Sequence, residues 1–193
     1  MIRTKLKQHS QAFINQRGLT LLEMLVAVAV LTIILTTVAP SIQSVLIKNR
    51  ITSDINNLSA VVQRARFTAV DEQASVVLCP TENYEACTNS WKKAKMVFVD
   101  TNGNGSRDNS EALIIASDPL NSANAIYGVT GSLSFDEQGA ISTAATITLC
   151  PKDNDDDYAS ALLLSLYGRI SVAVDSDGDG KKEDLDGNAL SCS

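Results

Sequence analysis

Glu23 is the residue whose placement first asks for chemistry. It is the only acid within residues 17–47, RGLTLLEMLVAVAVLTIILTTVAPSIQSVLI, and the run from Met24 to Ile47 carries no charge at all. A carboxylate at the edge of such a run is costly unless it finds a positive partner or reaches water. Gly18 stands five residues before it. Nucleophilic chemistry has little to work with elsewhere. The one histidine, His9, lies in a basic leader whose removal leaves no imidazole, which excludes Ser-His and Cys-His pairs and histidine metal sites. Carboxylate-pair chemistry stays formally open, yet no recognisable arrangement concentrates it. An enzyme is not expected.

Four cysteines, Cys79, Cys87, Cys150 and Cys192, all follow the apolar run. An even number beyond a membrane segment reads as two disulfides in an oxidising compartment, although four cysteines allow three connectivities. Cys79–Cys87 is favoured because it closes a tight loop, and Cys150–Cys192 because it ties down the C-terminal tail. Free buried thiols are the alternative. No C-x-x-C spacing suggests zinc.

Two acidic loops carry oxygen ligands at calcium spacing. Asp100, Asn102, Asn104 and Glu111 satisfy D-x-N-x-N-G-x5-E. Both flanks read as strands, however, so a hairpin tip rich in Asn, Asp and Gly explains the same residues through turn conformations. Asp175, Asp177, Asp179 and Asp186 form the second candidate, with more negative charge. The choice there lies between a Ca²⁺ site and a solvated loop. Asp153 to Asp157 shows no comparable spacing.

The elements that must position these residues follow from charge and periodicity. Residues 1–18 contribute four basic residues and no acid, leaving 12 basic and 22 acidic residues beyond them, a net of −10. A basic flank ahead of about 20 apolar residues fits a single membrane span with its N-terminus in the cytoplasm and the acidic remainder on the far side. The order of segments excludes an ordinary secretory signal, whose apolar stretch precedes its cleavage site. That leaves an uncut signal-anchor, or a leader cut just before the apolar run. After Pro40, residues Ile51, Ile55, Leu58, Val62, Ala65 and Ala69 recur at spacings of four and three. One helix over about residues 20–72 is expected, about 80 Å long at 1.5 Å per residue, with a bend at Pro40. Its second half has a single apolar stripe to lay on a sheet. β-rich runs occur at 75–79, 95–99, 112–116, 132–135, 145–149, 161–166 and 169–174, separated by Gly, Asn and Asp turns. Short connections imply antiparallel pairing, and a helix on such a sheet is an α+β fold.

The segment Gly18-Leu19-Thr20-Leu21-Leu22-Glu23 resembles the processing site of type IV prepilins and pseudopilins, with Leu19 in place of the commoner phenylalanine or methionine. Pro40 also falls where that class often carries a helix-bending proline. The resemblance implies that a prepilin peptidase cuts between Gly18 and Leu19 and that Leu19 is N-methylated. It further implies that Glu23 pairs with the terminal amine of a neighbouring subunit during assembly. Residues 91–114, the Leu78-Cys79 and Leu149-Cys150 pairs, and Gly168-Arg169 are similar to GspH/FimT-type minor pseudopilins. The domain organisation implied is a cleaved leader at 1–18, a transmembrane helix at 19–47, its amphipathic continuation at 48–73, and a β-rich periplasmic domain at 74–193. The function implied is that of a minor pseudopilin or minor pilin, held in the inner membrane and then incorporated into a filament beside other pilins. DNA capture, known for some FimT-type pilins, is the alternative. Here the basic Gly-Arg-x-Arg pattern stops at Gly168-Arg169, with Ser171 in the second arginine's place. Nucleic acid is not an expected partner for a mature chain of net charge −10, although Lys92, Lys93 and Lys95 could form a local basic patch.

Overall fold

The computed structural model describes residues 18–192, and the side chains of residues 37–40 lie outside the described set. Residues 1–17 of the leader, and the expected bend at Pro40, lie outside it too. The chain forms two compact units, residues 1–42 and 43–193. The helix α1 (Leu21–Glu72) begins in the first, one residue from its expected start.

In the second unit, α1 lays its stripe on two four-stranded antiparallel sheets. The strands are β1 (Val76–Thr81), β2 (Ala94–Val99), β3 (Leu113–Ser117), β4 (Asn124–Tyr127), β5 (Leu133–Phe135), β6 (Ala145–Pro151), β7 (Ser160–Leu164) and β8 (Ile170–Val172). The first sheet has the order β3-β2-β1-β5 and the second β4-β6-β7-β8. All six stripe residues named above are buried, together with Val61. They meet Val76, Leu78, Val97 and Val99 from one sheet, and Ile147, Leu149, Leu162 and Leu164 from the other, in one core. The expected α+β arrangement is thus present, with its strands divided between two sheets. Strand β4 has no counterpart among the expected runs. It is only four residues long, starts with a polar Asn124, and gains its place from pairing with β6.

Strands β1, β2 and β7 are buried on both faces. The helix covers one face; a disulfide-stapled cluster covers the other. Cys79 bonds Cys87, and Val77, Cys79, Met96 and Phe98 make up one outer cluster. Cys150 bonds Cys192, and Leu163, Ala173 and Leu190 pack around that bridge. The favoured connectivity is the one the chain adopts.

Two polar fastenings hold α1 to the sheets. Buried Asp54 accepts hydrogen bonds from the Asn121 N–H (3.1 Å) and Asn124 Nδ2 (2.6 Å), while Arg50 Nε donates to Asn124 Oδ1 (2.7 Å). Near the helix end, Arg66 Nε donates to the Gly139 carbonyl at 3.1 Å. Gly168 packs against that same carbonyl with φ +71°, and a Cβ there would collide with the Gly139 oxygen. Its glycine is therefore a requirement of the β7–β8 turn.

Lys95 lies on the helix-facing side of β2 and is only 2 % exposed. Burial lowers its pKa from 10.5 to about 8, against a smaller raising influence from Asp54. The unfolded chain therefore binds this proton more tightly than the folded chain, so the cost of charging Lys95 is fully present below pH 8 and fades as pH rises towards 10.5. We predict that Lys95→Met stabilises the isolated chain at pH 7 by up to about 3 kcal/mol, and that denaturant melts at pH 10 show the gain largely gone. Chain-entropy scaling predicts unequal roles for the bridges. Removing Cys150–Cys192, which spans 42 residues, should cost about 4 kcal/mol, against about 2.5 kcal/mol for Cys79–Cys87, which spans 8, by the same melts.

Candidate functional site: the N-terminal segment and two acidic loops

Gly18, Leu19 and Thr20 precede the helix, and Glu23 lies in its first turn. Thr20 is the cap. Its hydroxyl accepts the Glu23 N–H at 3.2 Å, and its carbonyl accepts the Met24 N–H at 3.2 Å. Thr20-x-x-Glu23 is the sequence of a capping box, a signal that the reading of Glu23 as an assembly residue passed over. Only half of the box is formed, because no hydrogen bond to the Glu23 carboxylate is present among the described residues. No ion pair engages it either; the single ion pair among those residues is Lys93–Glu82, at 3.2 Å. The helix N-terminus favours an acid in its first turn, which accounts for the charge sign there without satisfying the carboxylate oxygens.

Gly18 is unexplained by the fold. A Cβ there would meet nothing within 4 Å, and its backbone does not lie in the left-handed region. The chain geometry alone would accept alanine or a larger residue.

From Leu19 to Leu35, twelve large apolar side chains are at least half exposed. Each costs about 1.5–3 kcal/mol in water relative to burial, so this stretch needs lipid or other helices around it. It is long and apolar enough to cross a membrane. Its described hydroxyls are satisfied locally. Thr32 donates to the Val28 carbonyl (2.7 Å), and Thr36 to those of Thr32 (3.1 Å) and Ile33 (2.9 Å). Glu23 is then the one polar side chain in this stretch for which the helix itself makes no provision.

The two acidic loops share one backbone design. The first carboxylate of each, Asp100 or Asp175, accepts the N–H of the glycine five residues on, Gly105 or Gly180, at 2.9 and 3.0 Å. A buried glutamate, Glu111 or Glu183, accepts the N–H of the loop's second residue, Thr101 or Ser176, at 2.9 and 2.8 Å, and its hydroxyl as well. The Asp108 N–H, followed by the Thr101 donors, holds the Glu111 carboxyl below its usual range. The loops differ in what fills their centre. In the first, Asn102 and Asn104 direct their amide groups to Asp108 Oδ2 at 2.6 and 3.1 Å. This neutralised hairpin tip joins β2 to β3, as the turn reading expected. In the second, Asp175, Asp177, Asp179 and Glu183 bring carboxylate oxygens within 4.8 Å of one another.

Glu183, not Asp186, therefore completes the second cluster. The Glu183 N–H donates to the Val174 carbonyl (3.1 Å), closing the loop after nine residues instead of twelve. Asp186 belongs to the next turn, where its N–H donates to Asp184 (2.9 Å). The basic patch considered at Lys92, Lys93 and Lys95 does not form. Lys92 is exposed, Lys93 pairs with Glu82, and Lys95 turns inward.

A family model described as type II transport protein GspH matches residues 54–168, more than half of the chain. The prokaryotic N-terminal methylation motif matches residues 14–39. Among solved structures, the chain is similar to the type IV minor pilin FimU of Pseudomonas aeruginosa in two crystal forms. The first has 20 % identity and a TM-score of 0.56, covering 75 % of this chain and 96 % of FimU; the second has 20 % identity and a TM-score of 0.53, covering 74 % and 99 %. It is also similar to the minor pseudopilin EpsH of Vibrio cholerae, with 10 % identity and a TM-score of 0.49, over 66 % of this chain and 99 % of that one. A search of curated proteins found no match. The FimU likeness is one of fold, and the GspH match runs from the second half of α1 through β7. This chain belongs to the GspH family.

Proposed function

We propose that the protein is a minor pseudopilin or minor pilin, a structural and assembly component of a type II secretion pseudopilus or a type IV pilus. One observation carries this reading: a GspH-family domain and an N-terminal methylation motif occupy a single chain, joined by an exposed apolar helix whose first turn holds a carboxylate with no partner among the described residues. The chain is a single-pass protein of the inner membrane with its domain on the periplasmic side, as the basic leader and the two disulfides favour. A prepilin peptidase cuts between Gly18 and Leu19, and the new amine, on N-methylated Leu19, becomes the partner of Glu23 on a neighbouring subunit. A desolvated carboxylate gains most from a charge-assisted contact of this kind. The likeness to FimU supports work in a pilus-like filament without choosing between the two machines.

A second reading concerns the loop at residues 175–183, which takes a divalent cation, calcium by its hard oxygen donors. Four carboxylates within 4.8 Å support it, since the related first loop fills its centre with amides and has no such excess charge.

Gly18→Val should leave the melting temperature of the domain unchanged while blocking leader removal, read as a precursor-sized band on a gel. Glu23→Val should be inserted and cut normally but be at least about tenfold depleted from sheared filaments. Normal incorporation of that variant would sink the role given to Glu23. Calorimetric titration with Ca²⁺ should show one saturable site that disappears in Asp177→Asn/Asp179→Asn; a titration without binding heat overturns the calcium reading.

A further inference from the structure

Within the second unit, α1 and the C-terminal part of the chain place five charges around two cavities that share one wall. Lys48, Lys181, Asp157, Asp179 and Tyr158 line the larger, of about 350 Å³. The smaller, of about 130 Å³, shares Lys48, Asp157 and Tyr158 and adds Lys182. None of the five charges forms an ion pair among the described residues, so lysines and aspartates border the same space without closing on one another. Lys48 Nζ lies over the Tyr158 ring, 5.9 Å from its centroid, and Lys182 Nζ donates to Ser160 Oγ at 2.9 Å. Asp157 donates its N–H to Asp155 Oδ1 at 3.1 Å, while its exposed carboxylate accepts no hydrogen bond among the described residues.

Chain position says what these charges meet. The charge-free run ends at Ile47, and Lys48 is the first charge after it. A hydrocarbon core crossed by about 20 helical residues from Met24 ends near residue 43, which sets Lys48 about 7 Å beyond it, in the headgroup layer. Tyrosine is a residue that favours that layer. The kind of headgroup follows from the balance of charge. The chain beyond residue 18 has a net charge of −10, which opposes a purely anionic lipid surface. Lysines alone would suit a phosphate, yet Asp157 and Asp179 stand beside them and favour a cation. A headgroup of both signs matches both sets. A primary ammonium also donates hydrogen bonds to a carboxylate, which a quaternary ammonium has no N–H to do.

We propose that this face binds the phosphoethanolamine headgroup of a membrane lipid, with the phosphate on Lys48 and Lys182 and the ammonium on Asp157. The larger cavity lies at the low end of the range for small ligands, enough for a headgroup whose acyl chains stay in the bilayer. Asp179 remains with the acidic loop, beside Asp175, Asp177 and Glu183, which leaves Asp157 to meet the ammonium. The contact holds the domain against the membrane and is given up when the chain leaves the bilayer for a filament. This inference rests on the single-pass membrane reading proposed above and adds a lipid contact to it.

The test is carbodiimide coupling of the full chain in nanodiscs, which joins a primary amine to an adjacent carboxylate as an amide with loss of water. Discs of phosphatidylethanolamine with phosphatidylglycerol are compared with discs of phosphatidylcholine with phosphatidylglycerol, and adducts are mapped by peptide mass spectrometry. The expected adduct joins phosphatidylethanolamine to Asp157. It should fall about tenfold in Lys48→Gln and persist in Lys48→Arg, with neither variant changed in melting temperature. No adduct on Asp157, adducts spread evenly over Asp153, Asp157 and Asp186, or full labelling of Lys48→Gln each overturns the proposal while leaving the membrane span intact. Soluble phosphoethanolamine added to the phosphatidylcholine discs should label Asp157 at least about tenfold less than the lipid does. Equal labelling assigns the site to a free phosphate ester and overturns the lipid source. A chain that enters discs of neither composition overturns the membrane reading, and this contact with it.

Discussion

The stripe formed by Ile51, Ile55, Leu58, Val62, Ala65 and Ala69 has to leave water, and strands of both sheets share in burying it. Both sheets close on it, so the helix serves as the shared core of the second unit. That constraint fixes much that looks unrelated. The inner faces of β1, β2, β6 and β7 must be apolar, and the outer faces then need covers of their own. A short loop and the C-terminal tail supply those covers, each held down by one disulfide. A domain of this size gains from such staples because its layers are thin.

Charged groups near α1 show three solutions to the same electrostatic problem. Asp54 is buried and satisfied, with two donors from residues 121–124 anchoring the second sheet's first strand to the helix. Glu23 is exposed on an apolar stretch, its backbone N–H capped by Thr20 and its charge favoured by the helix dipole, with no hydrogen bond to its carboxylate among the described residues. Lys95 has its stem buried and lines the open cavity between α1 and β3. The first stabilises the subunit. The other two each carry a cost, Glu23 beside an apolar surface and Lys95 through the desolvation that lowers its pKa.

The two acidic loops make the same point about chemistry on a fixed backbone. Glycine at the sixth position, a capping aspartate at the first and a buried glutamate recur in both. Asn102 and Asn104 turn one into a closed, self-paired hairpin tip; Asp177 and Asp179 leave the other rich in acceptors. Backbone geometry does not decide between a structural turn and a cation site. The amide or acid at two positions does.

Local pattern alone determined the helix limits, six of its buried residues, seven of the eight strands and the unusual position of Glu23, because periodicity, turn residues and charge are all written within short windows. The Cys79–Cys87 pairing was favoured by its tight loop and Cys150–Cys192 because it ties down the C-terminal tail, and the structure has both. What only the tertiary structure decided involves residues far apart in sequence. The division into two sheets depends on which strands find each other, and β4 exists through its pairing with β6. Glu183 replaced Asp186 in the acidic cluster because a hydrogen bond to Val174 shortened the loop. Lys95 appeared, beside Lys92 and Lys93, to belong to a basic surface. The pleat of β2 turned it inward against α1, since alternate residues of a strand face opposite sides whatever their charge.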